Sequence, residues 1–204
     1  MKQKLKIYLQ CRKCHEIMVY PHINERSIKR ERCLNCNKFS TLIIWPSKEI
    51  IDVLNYLYSS NQSLNQFKYI SITFLCSVSE ALLENLLSLM IWQGLAPKHK
   101  AFNIIDSLFD GYQGRNKLLS LYNKLGYGKF KEHLKIISRE KYFDDWRKLV
   151  EVRNKIVHGK LYIIDYPKYN INVRFIKRLI VETLEVFSGL NNYLLSKHLD
   201  RNIF

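Results

Sequence analysis

The segment 150–160, VEVRNKIVHGK, contains the side chains of this chain that are best suited to acid–base chemistry. Arg153, Asn154 and His158 lie within six residues, among apolar positions whose spacing predicts one buried side of a helix. Residues four apart share a helix face, so we expect Asn154 and His158 to be neighbours, with the long Arg153 side chain at the edge. The predicted buried stripe of this helix consists of Trp146, Leu149, Val150, Ile156 and Val157.

Gly159 predicts that the helix ends with His158 in its final turn, because glycine readily adopts the left-handed conformation that follows many helices. At that end the helix dipole favours the protonated imidazolium, which suits His158 to exchanging protons. Arg153 supplies a planar cation that suits a phosphate, and Asn154 can hydrogen-bond the ring or a ribose hydroxyl. These groups suit RNA cleavage in which the ribose 2′-OH attacks its own 3′-phosphate, a reaction for which no metal is required.

One histidine per chain cannot easily act as both base and acid in this reaction. The simplest arrangement is a homodimer, in which a twofold axis brings both His158 side chains into one cleft. The competing interpretation is an exposed helix end whose Arg153 and His158 only cap backbone carbonyls.

The residues Arg153 to His158, RNKIVH, followed by Gly159, resemble the signature of HEPN domains. The architectural resemblance covers about residues 48–204. HEPN domains are all-helical modules of prokaryotic toxin, abortive-infection and CRISPR-associated ribonucleases, which typically cleave RNA as dimers without a metal. The resemblance implies catalytic roles for Arg153 and His158 and a supporting role for Asn154. It also implies a polar residue facing the motif from the first long helix, for which Glu80 and Glu84 are the candidates.

Four of the five cysteines form two pairs separated by eighteen residues: Cys11 with Cys14, and Cys33 with Cys36. This spacing predicts a four-thiolate zinc site, because each two-residue gap allows one tight turn to aim two sulfurs at a tetrahedral ion. Four thiolates leave no open position, so the zinc is expected to be structural and to replace a hydrophobic core. Two disulfides are the less favoured alternative, since no secretory signal precedes the pairs.

The cysteine spacing resembles the zinc ribbon family over residues 1–47, with a β-hairpin expected between the pairs. Ribbons of this kind bind nucleic acid, bind protein or brace a neighbouring domain. His15 is expected only to flank the metal, and Cys76 is expected to be a core residue. The aromatic residues that could stack on bases, but that in so small a domain more often form its core, are Tyr8, Tyr20, Phe39 and Trp45.

The chain of 204 residues carries a formal charge of +15 with a pI near 9.6, which favours a polyanionic partner such as nucleic acid or an anionic membrane. Its first 46 residues contain ten Lys and Arg against three Glu, or +7 of that total. The most apolar run, 69–92, is interrupted by serines, a threonine and glutamates, so it predicts a buried helix and not a membrane span. We therefore expect a cytoplasmic protein with reduced thiols, RNA as partner and no membrane attachment.

Pro46 marks the predicted boundary between the ribbon, 1–47, and a helical HEPN-like domain, 48–204, with Ser47 as the cap of the first helix. The expected fold class is mainly α: an antiparallel helical bundle with a small β-rich ribbon at its N-terminus. An extended loop is expected over 161–172. Helices are predicted over 48–59, 64–93, 100–109, 114–125, 129–138, 142–158 and 172–198.

The remaining titratable residues offer weaker signals. Asp144 and Asp145 are expected to interact with the helix dipole and not with a metal, while His99, His133 and His198 are expected at the surface. The leading functional hypothesis is an endoribonuclease acting as a toxin or anti-phage effector. The alternative is a non-catalytic nucleic-acid-binding or sensor protein that uses the ribbon. A scaffold bound by an antitoxin or regulatory protein is compatible with either.

Overall fold

The computed structural model describes residues 5–20, 28, 31–39, 41–59, 68–94, 109, 114–160, 164 and 169–199. The chain begins with a small antiparallel sheet of β1 (Ile7–Cys11), β2 (Ile17–Tyr20) and β3 (Leu42–Ile44), in the order β2-β1-β3. The central strand pairs Leu9 with Met18 on one side and with Ile44 on the other. The sheet is therefore small and close to the N-terminus, as the sequence predicted.

The hairpin of this sheet forms around the first cysteine pair, whereas the sequence analysis placed a hairpin between the two pairs. Cys11 ends β1, and the turn that follows it leads directly into β2. The second pair lies in a separate turn closed by a bridge between Arg32 and Phe39. Among the described residues between Cys14 and Cys33, β2 is the strand that forms.

The rest of the described chain is helical and agrees closely with the predicted boundaries. Predictions over 64–67, 100–108 and most of 161–172, and for His99, lie outside the described residues. The helices are α1 (Lys48–Ser59), α2 (Lys68–Gly94), α3 (Arg115–Lys124), α4 (Phe130–Ile136), α5 (Glu140–Val157) and α6 (Val173–Lys197).

Side-chain caps explain why two of these helices begin where they do. The Ser47 hydroxyl accepts a hydrogen bond from the Ile50 amide at 3.4 Å, which starts α1 directly after Pro46. The Asn172 side chain accepts from the Phe175 amide at 2.8 Å and starts α6. Both caps satisfy amides that have no partner within the helix, so the local sequence determines these ends.

The apolar helix α2 lies in the core and contacts α3, α5 and α6. Its segment Lys68–Trp92 is long and apolar enough to cross a membrane by length and composition, but 56% of that window is buried inside the fold. A largely buried apolar helix is what the core of a soluble protein contains. The structure thus supports the prediction of a core helix.

Polar groups join the helices at defined points within this core. The hydroxyl of the buried Tyr142 on α5 lies 3.2 Å from Ser79 Oγ on α2 and 3.2 Å from Thr183 Oγ1 on α6. Asp145 is almost fully buried, and its carboxylate accepts from Arg178 on α6 at 2.8 Å. The sequence predicted a helix-dipole role for Asp145, and the structure adds an ion pair that it did not predict, because α6 brings a cation to this carboxylate.

His133 also differs from its predicted position at the surface. It is 3% exposed, and its Nδ1 atom lies 2.6 Å from the Tyr122 hydroxyl. Its ring also packs against Tyr193 of α6. Burial is the main factor that lowers the pKa of His133, followed by the nearby His198. His198 itself is exposed, as predicted.

The sheet packs against the bundle and shares its core. Tyr8, Ile17 and Trp45 are buried in the same apolar cluster as the helices. The Asn192 side chain on α6 accepts from the Ile17 amide at 2.9 Å and donates to the Ile17 carbonyl at 2.7 Å. β2 is thereby hydrogen-bonded through its backbone to the last helix.

Candidate functional site

The four paired cysteines converge on one point between two turns. Their sulfur atoms all lie within 4.8 Å of one another, with 3.7 Å between Cys11 and Cys36 and 3.6 Å between Cys14 and Cys33. A tetrahedral ion with metal–sulfur bonds of about 2.3 Å needs sulfur–sulfur separations of about 3.8 Å. All four thiols are free of disulfides. The cluster can therefore hold a metal ion.

The two cysteine turns have matching backbone geometry. The amide of Lys13 points at the Cys11 sulfur and that of Cys36 at the Cys33 sulfur, each at 3.4 Å. The residue after each pair, His15 or Asn37, has a left-handed backbone with φ of 56°. His15 lies outside the four-sulfur cluster, so its expected flanking position agrees with the structure.

Three of the four aromatic residues considered for base stacking are core residues instead. Tyr8, Tyr20 and Trp45 are each 7% exposed or less. Phe39 is 51% exposed, and the guanidinium carbon of Arg32 lies 3.9 Å from its ring centroid. Phe39 is thus the member of this set that can offer an aromatic surface to a ligand.

In the helical part, the structure brings Arg153 and Glu80 together. Arg153 on α5 donates to the Glu80 carboxylate on α2 at 2.8 Å, and the two side chains are 19% and 15% exposed. Arg153 Nε is buried without a hydrogen-bond partner in the described part of the chain. The ion pair fixes the position of the guanidinium while its remaining donors stay uncommitted to the carboxylate.

The end of α5 has the geometry that Gly159 predicted. The Lys160 amide donates to the Lys155 carbonyl at 2.8 Å, the Gly159 amide donates to the Ile156 carbonyl at 3.0 Å, and Gly159 has φ of 68°. This is the Schellman arrangement, with His158 as the last residue before the left-handed glycine. Asn154 and His158 are both exposed.

The apolar stripe of α5 was predicted correctly except at Val157. Trp146 and Leu149 are fully buried, and so is Val152, which the stripe had omitted. Val157 is 63% exposed, which contradicts its assignment to the buried face. Val150 and Ile156 are half-buried and pack against the core, so the exposed part of the predicted stripe is Val157.

Glu84, the other candidate facing the motif, lies one turn beyond Glu80 on α2 and lines a cavity of about 490 Å³. Burial raises the pKa of its carboxyl, and the nearby Glu80 raises it further. The cavity lies where the sheet meets α2 and α6, and its walls include Gln10, Trp45 and Trp92. Apart from Glu84, the lining residues were not predicted as a site, since they come together only when the sheet docks on the bundle.

Comparison with family models, with curated proteins and with solved structures gave no match to this chain. Function is therefore inferred from the geometry of these residues.

Proposed function

We propose that the protein is a metal-independent endoribonuclease of the HEPN type that cleaves RNA by attack of the ribose 2′-OH on the adjacent phosphate. The observation that carries this proposal is the placement of Arg153 by Glu80 at the end of α5, where Asn154 and His158 are exposed. The biological role that suits such an activity is a toxin or anti-phage effector in the cytoplasm, restrained by an antitoxin or regulatory protein.

Each side chain has a defined role in the proposed reaction. The Arg153 guanidinium would bind the phosphate and stabilise the charge that develops on it. His158 would move the proton of the 2′-OH or of the leaving 5′-oxygen, and Asn154 would orient the ring or the ribose. Glu80 is a positioning residue, because it acts through Arg153 and holds its guanidinium in place.

The reaction needs a base and an acid together, so the proposal includes a homodimer with two copies of His158 in one cleft. The exposed Val157 beside His158 supports this part of the proposal. An apolar side chain at the end of a polar motif is suited to burial against a second subunit. The cysteine cluster would hold a structural Zn²⁺ away from this chemistry.

The decisive experiment is incubation of the purified, zinc-loaded protein with total RNA and excess EDTA, with zinc retention verified by metal analysis. We expect wild type to cleave RNA and leave 2′,3′-cyclic phosphate ends, and the His158→Ala variant to lose at least about 100-fold of that rate, the typical contribution of a general acid–base group. His198→Ala is the matched control, since His198 is also an exposed histidine at the C-terminal cap of a long helix.

Equal cleavage by wild type and His158→Ala would contradict the proposal. Intact RNA in every reaction, at concentrations where the protein is dimeric, would favour the second candidate function, which is nucleic-acid binding by the ribbon.

This second function is supported by the exposed Phe39 with Arg32 stacked on it, and by the exposed Arg12, Lys13 and Lys38 in the same small domain. For single-stranded RNA, each neutralised phosphate contributes about −0.7 to the slope of log affinity against log salt. A steep slope that becomes shallow in Arg32→Ala would assign binding to the ribbon.

A further inference from the structure

The cavity between the sheet and the bundle has the size and chemistry of a ligand site. Its volume of about 490 Å³ lies within the range of about 300–1,000 Å³ that is usual for small-molecule and cofactor pockets. Trp45 comes from the segment before α1, Trp92 and Glu84 from α2, and Asn191 from α6. Large aromatic walls with a few polar groups are typical of such sites.

The polar groups of this cavity favour a ligand that donates hydrogen bonds. Glu84 is the acidic residue of the described lining, and that lining contains no Lys or Arg. The side-chain amide nitrogens of Gln10 and Asn191 both donate to the His15 carbonyl, at 3.2 and 3.0 Å. The Asn191 nitrogen also donates to Asn192 Oδ1 at 3.1 Å, so its side-chain oxygen is the atom left to accept from a ligand. Gln10 keeps its oxygen and one N–H donor.

The position of the cavity relates it to the proposed active site. Glu84 follows Glu80 by four residues on α2, which places their side chains about 6 Å apart on one helix face. Glu80 holds Arg153 at 2.8 Å. Glu80 and Arg153 do not line the cavity themselves, so a phosphate attached to a base against Glu84 would have to extend past Glu80 to reach the Arg153 guanidinium.

Resting on the proposed ribonuclease function, we propose that this cavity binds a guanine base of single-stranded RNA next to the cleaved phosphate. Guanine presents adjacent N1–H and N2–H donors, which a carboxylate accepts as a pair. Adenine presents one donor and one acceptor at the corresponding edge and satisfies Glu84 only in part. Trp92, which is half-buried, provides a ring face on which a base can stack.

A small organic cation would also suit a carboxylate between aromatic rings, but two observations argue against it. The chain carries +15, which disfavours the approach of free cations. The neighbouring Arg153 is suited to an anion. A nucleotide can bind both side chains, because its base can donate to Glu84 and its phosphate can accept from Arg153.

The test is binding of the four ribonucleoside 5′-monophosphates to the full-length protein, followed by calorimetry and by quenching of tryptophan fluorescence. Two of the three tryptophans line the cavity, and the third, Trp146, is fully buried in the bundle. We expect guanosine monophosphate to bind at least about tenfold more tightly than adenosine monophosphate, as a well-formed pair of hydrogen bonds to a base edge implies.

Glu84→Gln should lose about tenfold or more in affinity for guanosine monophosphate and shift its preference towards adenosine monophosphate, because the amide offers one donor and one acceptor. Glu140→Gln, at an exposed glutamate at the start of α5, is the matched control. Circular dichroism and zinc content verify that both variants are folded.

Equal affinity of wild type and Glu84→Gln for guanosine monophosphate would overturn the proposal, and so would binding of spermidine but not of nucleotides. Nucleoside monophosphates contain no bond for the enzyme to cut, so this result is independent of cleavage. If guanosine monophosphate binds through Glu84 while RNA stays intact, the proposed ribonuclease activity is contradicted and guanine binding in the cavity is supported. RNA cleavage without this nucleotide preference would overturn the pocket alone.

Discussion

The sheet region and the helical bundle differ in what stabilises their folded state. The described side chains of the second apolar cluster, in the sheet region, are Leu9, Cys11, Cys14, Tyr20, Ile28, Cys33 and Leu42, and three of the seven are cysteines. The bundle has instead a continuous apolar core through α2, α5 and α6, with Trp146 and Leu149 fully buried. The ribbon, residues 1–47, is too small to bury the apolar surface that folding alone requires, whereas the helical bundle buries enough.

The two regions also differ in where their chemically active side chains lie. In the sheet region the most reactive side chains are the four paired thiols, which point inward and can hold the structure together through a shared metal. In the bundle the corresponding groups, Asn154 and His158, are exposed at the end of α5 beside the anchored Arg153. The stability of the sheet region and the proposed catalysis at the end of α5 are therefore expected to be lost separately when each region is altered.

The largest effect is expected from loss of the metal. Cys33→Ser removes one of four ligands, and structural zinc in small sites contributes about 10 kcal/mol or more, so the ribbon should unfold while the helices remain. Zinc analysis and far-ultraviolet circular dichroism measure the two results. Cys76→Ala, at a buried cysteine of α2 outside the cluster, should keep the zinc. Stoichiometric zinc in Cys33→Ser would contradict a four-thiolate site.

A smaller effect is expected where the two regions meet. Asn192→Ala leaves the amide and the carbonyl of Ile17 without their partners, which should lower the free energy of unfolding by about 1–3 kcal/mol. Urea unfolding gives this value, and hydrogen exchange at the Ile17 amide shows whether β2 separates from α6. Asn85→Ala, at an exposed position of α2, should change stability by less than about 0.5 kcal/mol. Equal stability of the two variants would show that the apolar contacts alone hold the sheet.

The smallest effect concerns the bundle and depends on pH. The pKa of His133 is lowered from its ordinary value of 6.5, mainly by burial, so the folded state binds fewer protons than the unfolded state as pH falls. Its contribution to stability is present above about pH 6.5 and should be lost progressively on acidification. Urea unfolding between pH 7.5 and 5.5 measures this loss.

His133→Gln should reduce that pH dependence, because glutamine does not titrate. Identical profiles for wild type and His133→Gln would assign the acid sensitivity to other groups.

Local sequence was sufficient to predict the features that short-range chemistry controls. Ser47 caps α1 as predicted, and Gly159 ends α5 as expected, because each acts on backbone groups within a few residues. Asn172, the predicted first residue of the last helix, acts over the same short range as the cap of α6. Each cysteine pair predicted its own turn for the same reason, and the spacing of two such pairs, which is typical of a zinc site, predicted that the four sulfurs converge.

Packing between distant segments decided the rest. The sequence could not tell whether Val152 or Val157 is buried, because the extent to which neighbouring helices cover α5 is a property of the assembled bundle. Nor could it show that His133 lies against Tyr122, or that Arg178 reaches Asp145. These contacts join residues 11 and 33 positions apart, and their formation depends on how whole helices dock.

The candidate site shows the same division. The sequence by itself determined which side chains stand at the end of α5, since the motif and its glycine are contiguous. Only the tertiary structure selected Glu80 over Glu84 as the partner of Arg153, across 73 residues, and opened the cavity beside Glu84. The physical reason is that capping and turn formation act over a few residues, whereas burial and ion pairing require surfaces that exist only after the helices and the sheet have packed together.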